Sequence, residues 1–193
     1  SSVPVTIRLI LGRGWGQGPT HSQNLQAWFA HVPGLKIVMP ATVADAKGLL
    51  ISSIYDNNPV VFLEHRWLHN LEGVVPDGDF RTPIGKAQVL KEGSDVTIVS
   101  MSYMTVEALH ALEFMDKPPV GEELRGVGVC ELIDLRTIKP LDWKTIFASV
   151  RKTGRLIVLD TANDFCSTGS EIMARVSSEC FDSLKCAPKL LAL

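Results

Sequence analysis

Leu35-Lys36-Ile37-Val38-Met39-Pro40-Ala41-Thr42-Val43-Ala44-Asp45-Ala46-Lys47-Gly48-Leu49-Leu50 is the stretch that decides the fold class. Five residues of buried-strand character stop at Pro40, which brings no amide hydrogen to a ladder. Thr42-x-x-Asp45 then has the form of a capping box. It opens a helix whose apolar face is Ala46, Leu49, Leu50 and Ile54. Val60-Val61-Phe62-Leu63 reads as the next strand. Upstream, Val5 to Leu11 is a strand bounded by Gly12, and Leu25, Trp28, Phe29 and Val32 recur at helical spacing before Pro33-Gly34. Strand–helix–strand–helix–strand is the order of an α/β unit, with a parallel or mixed sheet covered by helices.

From Leu71 to Pro83 turn formers crowd together, and the pattern predicts a domain boundary there. Beyond it the alternation resumes with a strand at Val96–Val99. The helix after it puts Ala108, Leu109, Leu112 and Met115 inward and Glu107, His110 and Glu113 outward. Asp116 to Arg125, with Pro118-Pro119, reads as a surface loop, and Val127 to Leu132 as a strand. Trp143, Ile146, Phe147 and Val150 form one helical stripe, with Arg151 and Lys152 in the last turn and Gly154 as the stop. Leu156–Leu159 is a strand, Thr168-x-x-Glu171 caps a last helix, and Pro188 to Leu193 reads as a final strand. Both halves are α/β.

The chain has 193 residues, 46% hydrophobic and 21% charged, a composition too apolar and too weakly charged for disorder. Nineteen basic against 21 acidic residues, with no basic cluster, argues against nucleic-acid binding. Cys130, Cys166, Cys180 and Cys186 contain no C-x-x-C pair and read as reduced thiols. No apolar run reaches the ~18 residues of a membrane span. Ser1-Ser2-Val3-Pro4 leads straight into a strand with no signal peptide. The expected location is therefore the cytoplasm, or an organelle matrix in a eukaryote, and the abrupt start suggests a piece of a longer chain.

The densest unusual stretch is Gly12-Arg13-Gly14-Trp15-Gly16-Gln17-Gly18-Pro19-Thr20-His21-Ser22-Gln23. The G-x-G-x-x-G register of a dinucleotide site fails, because counting from Gly12 lands on Gln17 and from Gly14 on Pro19. Two readings stay open on the residues alone. One is an irregular loop needing positive φ at several glycines. The other is a loop built to hold His21 at one point in space, with Ser22 capping the helix that follows. Other candidates fall away. His65-Arg66-Trp67-Leu68-His69 has zinc-pair spacing but Arg66 where a metalloprotease needs a carboxylate, so a surface or interface role is expected. Asn57-Asn58 and Asp77-Gly78-Asp79 have the wrong spelling and order for a diphosphate–magnesium motif. Ser167 and Ser170 lack the context of a nucleophile elbow. His31 reads as a helix-end charge and His110 as a solvated residue.

Longer runs carry a family resemblance. They are Gly18-Pro19-Thr20-His21-Ser22-Gln23, Ala27-Trp28-Phe29-Ala30-His31-Val32-Pro33-Gly34 with the strand to Pro40, Asp45 to Leu50, Asn58-Pro59-Val60-Val61-Phe62-Leu63-Glu64, Pro83-Ile84-Gly85-Lys86-Ala87 and Glu131 to Asp142. In this order they closely resemble the beta subunit of the thiamin-diphosphate-dependent decarboxylating component of 2-oxoacid dehydrogenases. The resemblance implies two three-layer αβα units. Residues 1–72 would be the C-terminal half of a pyrimidine-binding domain, and residues 80–193 a transketolase C-terminal-like domain with a mixed sheet. It implies oxidative decarboxylation of a 2-oxoacid with reductive acylation of a lipoyl-protein.

The resemblance makes His21 the active-site histidine, orienting the decarboxylated adduct and assisting acyl transfer. Imidazole suits that role because its ionisation falls nearest neutrality. Thiamin diphosphate and magnesium would be held largely by an alpha-type subunit or fused alpha half, so this chain alone is expected neither to bind them nor to turn over. A lipoyl acyltransferase and a second beta-type copy are the other implied partners. Some members hold a structural potassium ion, which maps to Val5, Thr6, Ser53, Asp56 and Asn58; the same residues also read as an ordinary helix exit with local Asx bonding. Thr20 stands where the family often has Tyr, and of Asp160–Ile172 only Gly169-Ser170-Glu171-Ile172 follows its pattern. The alternatives are a transketolase-type ketol transferase, which calls for basic residues around the histidine, and a non-catalytic assembly module.

Overall fold

The computed structural model describes residues 2–117 and 128–192. In the first half, β1 (Thr6–Leu11), α1 (Gln26–His31), β2 (Lys36–Val38), α2 (Val43–Ile54) and β3 (Val60–His65) follow the predicted order. In the second, β4 (Gln88–Lys91), β5 (Val96–Ser100), α3 (Tyr103–Asp116), β6 (Cys130–Asp134), β7 (Thr137–Lys139), α4 (Trp143–Thr153), β8 (Leu156–Asp160), α5 (Thr168–Glu179) and β9 (Lys189–Ala192) complete the chain. The expected loop is described only at Asp116 and Lys117; its remainder, and the expected strand start at Val127, lie outside the described residues.

One sheet has the order β1-β3-β2-β7, parallel except for the antiparallel β7; the other runs β4-β6-β5-β8-β9, parallel except for the antiparallel β4. Strand alternation assigns the faces. Val60 and Phe62 turn toward Leu49 of α2, and Leu132 toward Ala108 and Leu112 of α3. The opposite faces meet in one cluster that joins Ile37, Met39, Val61 and Leu63 to Val99, Ile133 and Val158, with Ile146 of α4 and Ile172 of α5. The two α/β units thus share their central layer. β7 explains why: the chain leaves β6 in one sheet and enters β7 in the other after only Leu135 and Arg136.

The segment after β3 contains a single 3-10 turn at Arg66–Leu68 and then no regular element up to β4. It is nonetheless anchored across α2. A Cβ at Gly48 would lie 2.3 Å from Thr82 Oγ1, so only glycine lets the segment pass this close. Thr82 donates its hydroxyl to Asp45 Oδ1 at 2.9 Å, and Ser52 Oγ donates to the Thr82 carbonyl at 2.7 Å.

The Thr42 cap is present, its Oγ1 accepting from the Asp45 amide at 3.1 Å, and Gly154 ends α4 with φ 74°. Three expectations change. The cap of α5 is Ser167, one residue earlier than Thr168, because its Oγ takes the Ser170 amide at 3.0 Å. α1 starts at Gln26 with no side-chain cap, and Ser22 Oγ instead accepts the Gln17 amide inside the loop. Ile54 and Leu109 belong to the solvent side of their helices.

Between β5 and α3, Ser102 adopts φ 50° and ψ −128°, a backbone region that favours glycine, and its buried hydroxyl has no partner among the described residues. Ser102→Gly relieves both penalties at some loss of unfolded-state restriction. It should raise stability by about 1 kcal/mol. A urea titration should give a higher midpoint with an unchanged slope; a lower midpoint would contradict this account.

Candidate functional site

The glycine-rich segment is a loop between β1 and α1, and Gly14, Gly16 and Gly18 take φ of 80°, 78° and 77°. Gly12 has another reason to be glycine: a Cβ there would sit 2.3 Å from the His21 carbonyl oxygen. The two ends of the loop therefore touch, and Gly12 donates its amide to the Gln23 carbonyl at 3.2 Å. Asn24 Oδ1 accepts the amides of Gly12 and Arg13 at 3.1 and 3.0 Å. The neck is tied while the rim stays open, and His21 is exposed on that rim. The glycines supply the positive φ of the first reading; of the second, the neck closes beside His21, while Ser22 does not cap α1.

Aromatic side chains brace one flank. Trp15 meets Trp67 edge-on with centroids 5.0 Å apart, Trp67 stacks on Tyr103 at 6.1 Å, and His65 lies on the other side at 5.1 Å from Tyr103. This corrects the surface reading of His65–His69, since His65 is fully buried at the end of β3 while His69 is exposed. Arg66 also belongs here. Its Cδ is 3.4 Å from where a Gly12 Cβ would be, and its guanidinium lies 5.9 Å from the Trp15 ring. Arg13 donates to Asn163. Linear spacing could not foresee Arg66 or Asn24 at the loop base, because their partners are set by the fold.

The five potassium candidates do come near one another, since Thr6 pairs with Val60 across the strands that frame the α2 exit. Their oxygens are already engaged. The Val5 carbonyl accepts the Val60 amide at 2.9 Å, and buried Ser53 Oγ donates to the Leu49 carbonyl at 2.6 Å. Asp56 takes the Lys36 ammonium on Oδ2 and the Asn58 amide and Nδ2 on Oδ1. The Lys36 ammonium already occupies Asp56 Oδ2, so a cation at these five residues would compete with that ion pair. Among the described residues no three His, Cys, Asp or Glu gather as a metal site. Asp77 and Asp79 are exposed, His31 ends α1, and His110 is exposed beside Glu107.

A cavity of about 670 Å³ lies between α1, the turn before α4, and α5, and it does not include His21. A second, of about 510 Å³, adjoins the loop neck at Asn24, Ala162 and Asn163. Trp28 and Phe165 line its mouth, 73% and 86% exposed. No described helix is long and apolar enough to cross a membrane.

Two family models match: "Transketolase, pyrimidine binding domain" over residues 1–70 and "Transketolase, C-terminal domain" over residues 85–193. The chain is 42% identical, over 96% of its length, to the acetoin:2,6-dichlorophenolindophenol oxidoreductase subunit beta of Cupriavidus necator, covering 52% of that protein. It is 43% identical, over 94% of its length, to the pyruvate dehydrogenase E1 component subunit beta of Staphylococcus epidermidis, covering 54%. It thus spans about half the length of these curated relatives. A solved split-gene transketolase, described as an inactive beta4 tetramer, superposes with a TM-score of 0.77 at 23% identity, over all of this chain and 58% of the other.

Two buried groups beside the site give it a pH signature. Burial pushes the His65 imidazole down to about 4; the nearby Arg13 backbone favours its proton without offsetting that burial. Burial pushes the Asp134 carboxyl up to about 7, against the Arg136 amide at 3.1 Å, and Oδ2 has no partner among the described residues. An unfolded histidine titrates higher than His65, so its contribution is complete above about pH 6.5 and is lost as pH falls toward 4. Asp134 acts oppositely, favouring the fold at low pH and losing that contribution as pH rises through 7. The two offset each other in the wild type, so variants must separate them. Between pH 7 and 4.5 wild type should lose about 2 kcal/mol relative to His65→Phe. Asp134→Asn should gain on wild type as pH rises from 5 to 8. Parallel pH–stability curves for all three proteins would contradict both assignments.

Proposed function

The chain belongs to the family of transketolase-type proteins, with its pyrimidine-binding and C-terminal domains, and from that premise we propose that it is the beta-type part of a 2-oxoacid dehydrogenase decarboxylating component. The reaction is oxidative decarboxylation of a 2-oxoacid with transfer of the acyl group to a lipoyl-protein. The domain division at residues 72 and 80 belongs to the same reading. The observation that carries it is His21: an exposed imidazole on a glycine-built rim whose neck is tied by Gly12, Gln23 and Asn24.

Bound thiamin diphosphate supplies the electron sink for loss of carbon dioxide. The residues of this chain fit a group presented from outside better than one held within. The rim carrying His21 is exposed rather than packed into the protein's own core. His21 would hydrogen-bond the oxygen of the acyl group as charge develops there. It would also hold or release the proton that accompanies transfer to the lipoyl sulfur. The glycine backbone lets the rim approach its target closely, and the braced Trp15 flank limits its drift. The alpha-type partner that holds the diphosphate and magnesium would cover the apolar mouth at Trp28 and Phe165. The acyltransferase and a second beta-type copy complete the assembly.

Likeness to the acetoin-linked subunit gives a second reading, in which the substrate is a hydroxyketone such as acetoin. Assaying the assembled parent enzyme with pyruvate and with acetoin separates the two by relative kcat/KM. In that enzyme His21→Ala should lower lipoyl-dependent turnover by about 10²–10⁴-fold; a rate like wild type would remove His21 from the mechanism. Calorimetric titration of this chain alone with thiamin diphosphate and magnesium should give no tight binding, and a submicromolar site would refute the shared-cleft reading.

A further inference from the structure

Gln26, Asp160 and Thr161 are each fully buried, and Asn24 nearly so. Such groups persist in an interior only when their hydrogen bonds are made. Here they form one chain of bonds that joins the two halves. Asp160, at the end of β8, accepts the Ala162 amide on Oδ1 at 2.9 Å and the Gly169 amide on Oδ2 at 2.8 Å. Gln26, the first residue of α1, donates Nε2 to Asp160 Oδ1 at 2.8 Å and to Thr161 Oγ1 at 3.1 Å. Asn24 donates Nδ2 to the Thr161 carbonyl at 3.0 Å, and its Oδ1 is the acceptor that closes the loop neck at Gly12 and Arg13. Arg13 continues the same contact to Asn163.

Gln26 Oε1 is left without a partner among the described residues, although a buried acceptor is costly to leave unmade. The amide is turned this way because its hydrogens meet a carboxylate, and a charge-assisted bond outweighs a neutral one. From this geometry we propose that Asp160 is a positioning residue for His21, fixing the loop neck through Gln26, Thr161 and Asn24. The inference rests on the reading of His21 given above. Asp160 ends β8; without its carboxylate Gln26 loses its charged partner, and the Thr161–Ala162 backbone, whose Thr161 carbonyl holds Asn24, loses the acceptor that fixes it. A rim of glycines has little stiffness of its own, so the neck, with the Trp15 brace, sets where the imidazole stands.

The test uses the full parent enzyme assembled with its thiamin-holding partner. Asp160→Asn, Gln26→Leu, His21→Ala and the double variant Asp160→Asn/His21→Ala are assayed for lipoyl-dependent turnover, and amide exchange is followed over residues 12–23. Asp160→Asn and Gln26→Leu should each lower kcat about 10–100-fold with little change in KM for the oxoacid, and exchange in the loop should accelerate about 10-fold or more. The double variant should be no slower than His21→Ala, because both changes act through one group. Multiplying losses in the double variant, or loop exchange at the wild-type rate in the single variants, would overturn the proposal. Should Asp160→Asn fail to fold, Gln26→Leu with its own His21→Ala double carries the same two readouts. If His21→Ala alone retains full turnover, the reading of the site fails, while the exchange result still decides whether Asp160 sets the loop.

Discussion

The crossing at Leu135–Arg136 is the constraint on which the rest of the molecule depends. A strand of the second sheet ends at Asp134 and a strand of the first begins at Thr137, so two residues must turn the chain from one sheet to the other. Arg136 does this at φ 58°, an unfavourable conformation for a side-chain-bearing residue, and its side chain secures the turn. Nε donates to buried Asp45 at 2.9 Å, and the far end of the guanidinium meets Gln88 of β4. Asp45 also holds Thr82 and the Thr42 cap, so one carboxylate organises a helix start, the segment between the halves, and the crossing. Breaking such a buried pair from one side strands the other charge, at a cost of about 3–5 kcal/mol.

With the sheets tied this closely, neither half can drift, and the β8–α5 turn stays beside the loop that leaves β1. Candidate chemistry on one half is thereby supported by the other. His21 follows the first sheet, whereas the groups that fix its neck come from Asp160 and Thr161 of the second. The aromatic brace follows the same logic, because Trp67 leaves β3 while Tyr103 begins α3. This is the physical content of the shared central layer: the precision of the loop depends on packing that neither half has alone.

The sequence showed the elements that local rules control. The Val60–Leu63 strand, the Thr42 cap and the Gly154 stop each depend on neighbours a few residues away, and each is in place. β4 and β7 were not legible. Gln88–Lys91 is half-buried throughout with no alternation to read, and Thr137–Lys139 is too short to show a period. The α5 cap was displaced by one residue because Ser167 and Thr168 are both good capping types, and only the backbone decides between them. At the site, the glycine run and His21 stood out, whereas the bonds of Asn24 and Gln26 to Asp160 and Thr161 gave no signal, since they join residues more than a hundred positions apart. The Lys36–Asp56 pair was hidden for a similar reason, since nothing near Asp56 in sequence announces that Lys36 will reach it.

His21 and His65 make the same point through one residue type. Both follow the strands of the first sheet, and composition offers no ground for choosing between them. Burial decides. Burial holds His65 neutral, driving its ionisation down to about 4, and leaves its ring closed to solvent against Tyr103. It packs beneath the loop. His21 stands on the open side of that packing, exposed to whatever surface closes over the rim. The proposed function calls for a group presented in this way, outward in position but fixed from behind. The conformational freedom of Gly14, Gly16 and Gly18 would otherwise disperse the imidazole over many positions. The bonds at Gly12, Asn24 and Asp160 restrict that freedom at the neck, while the rim itself stays exposed.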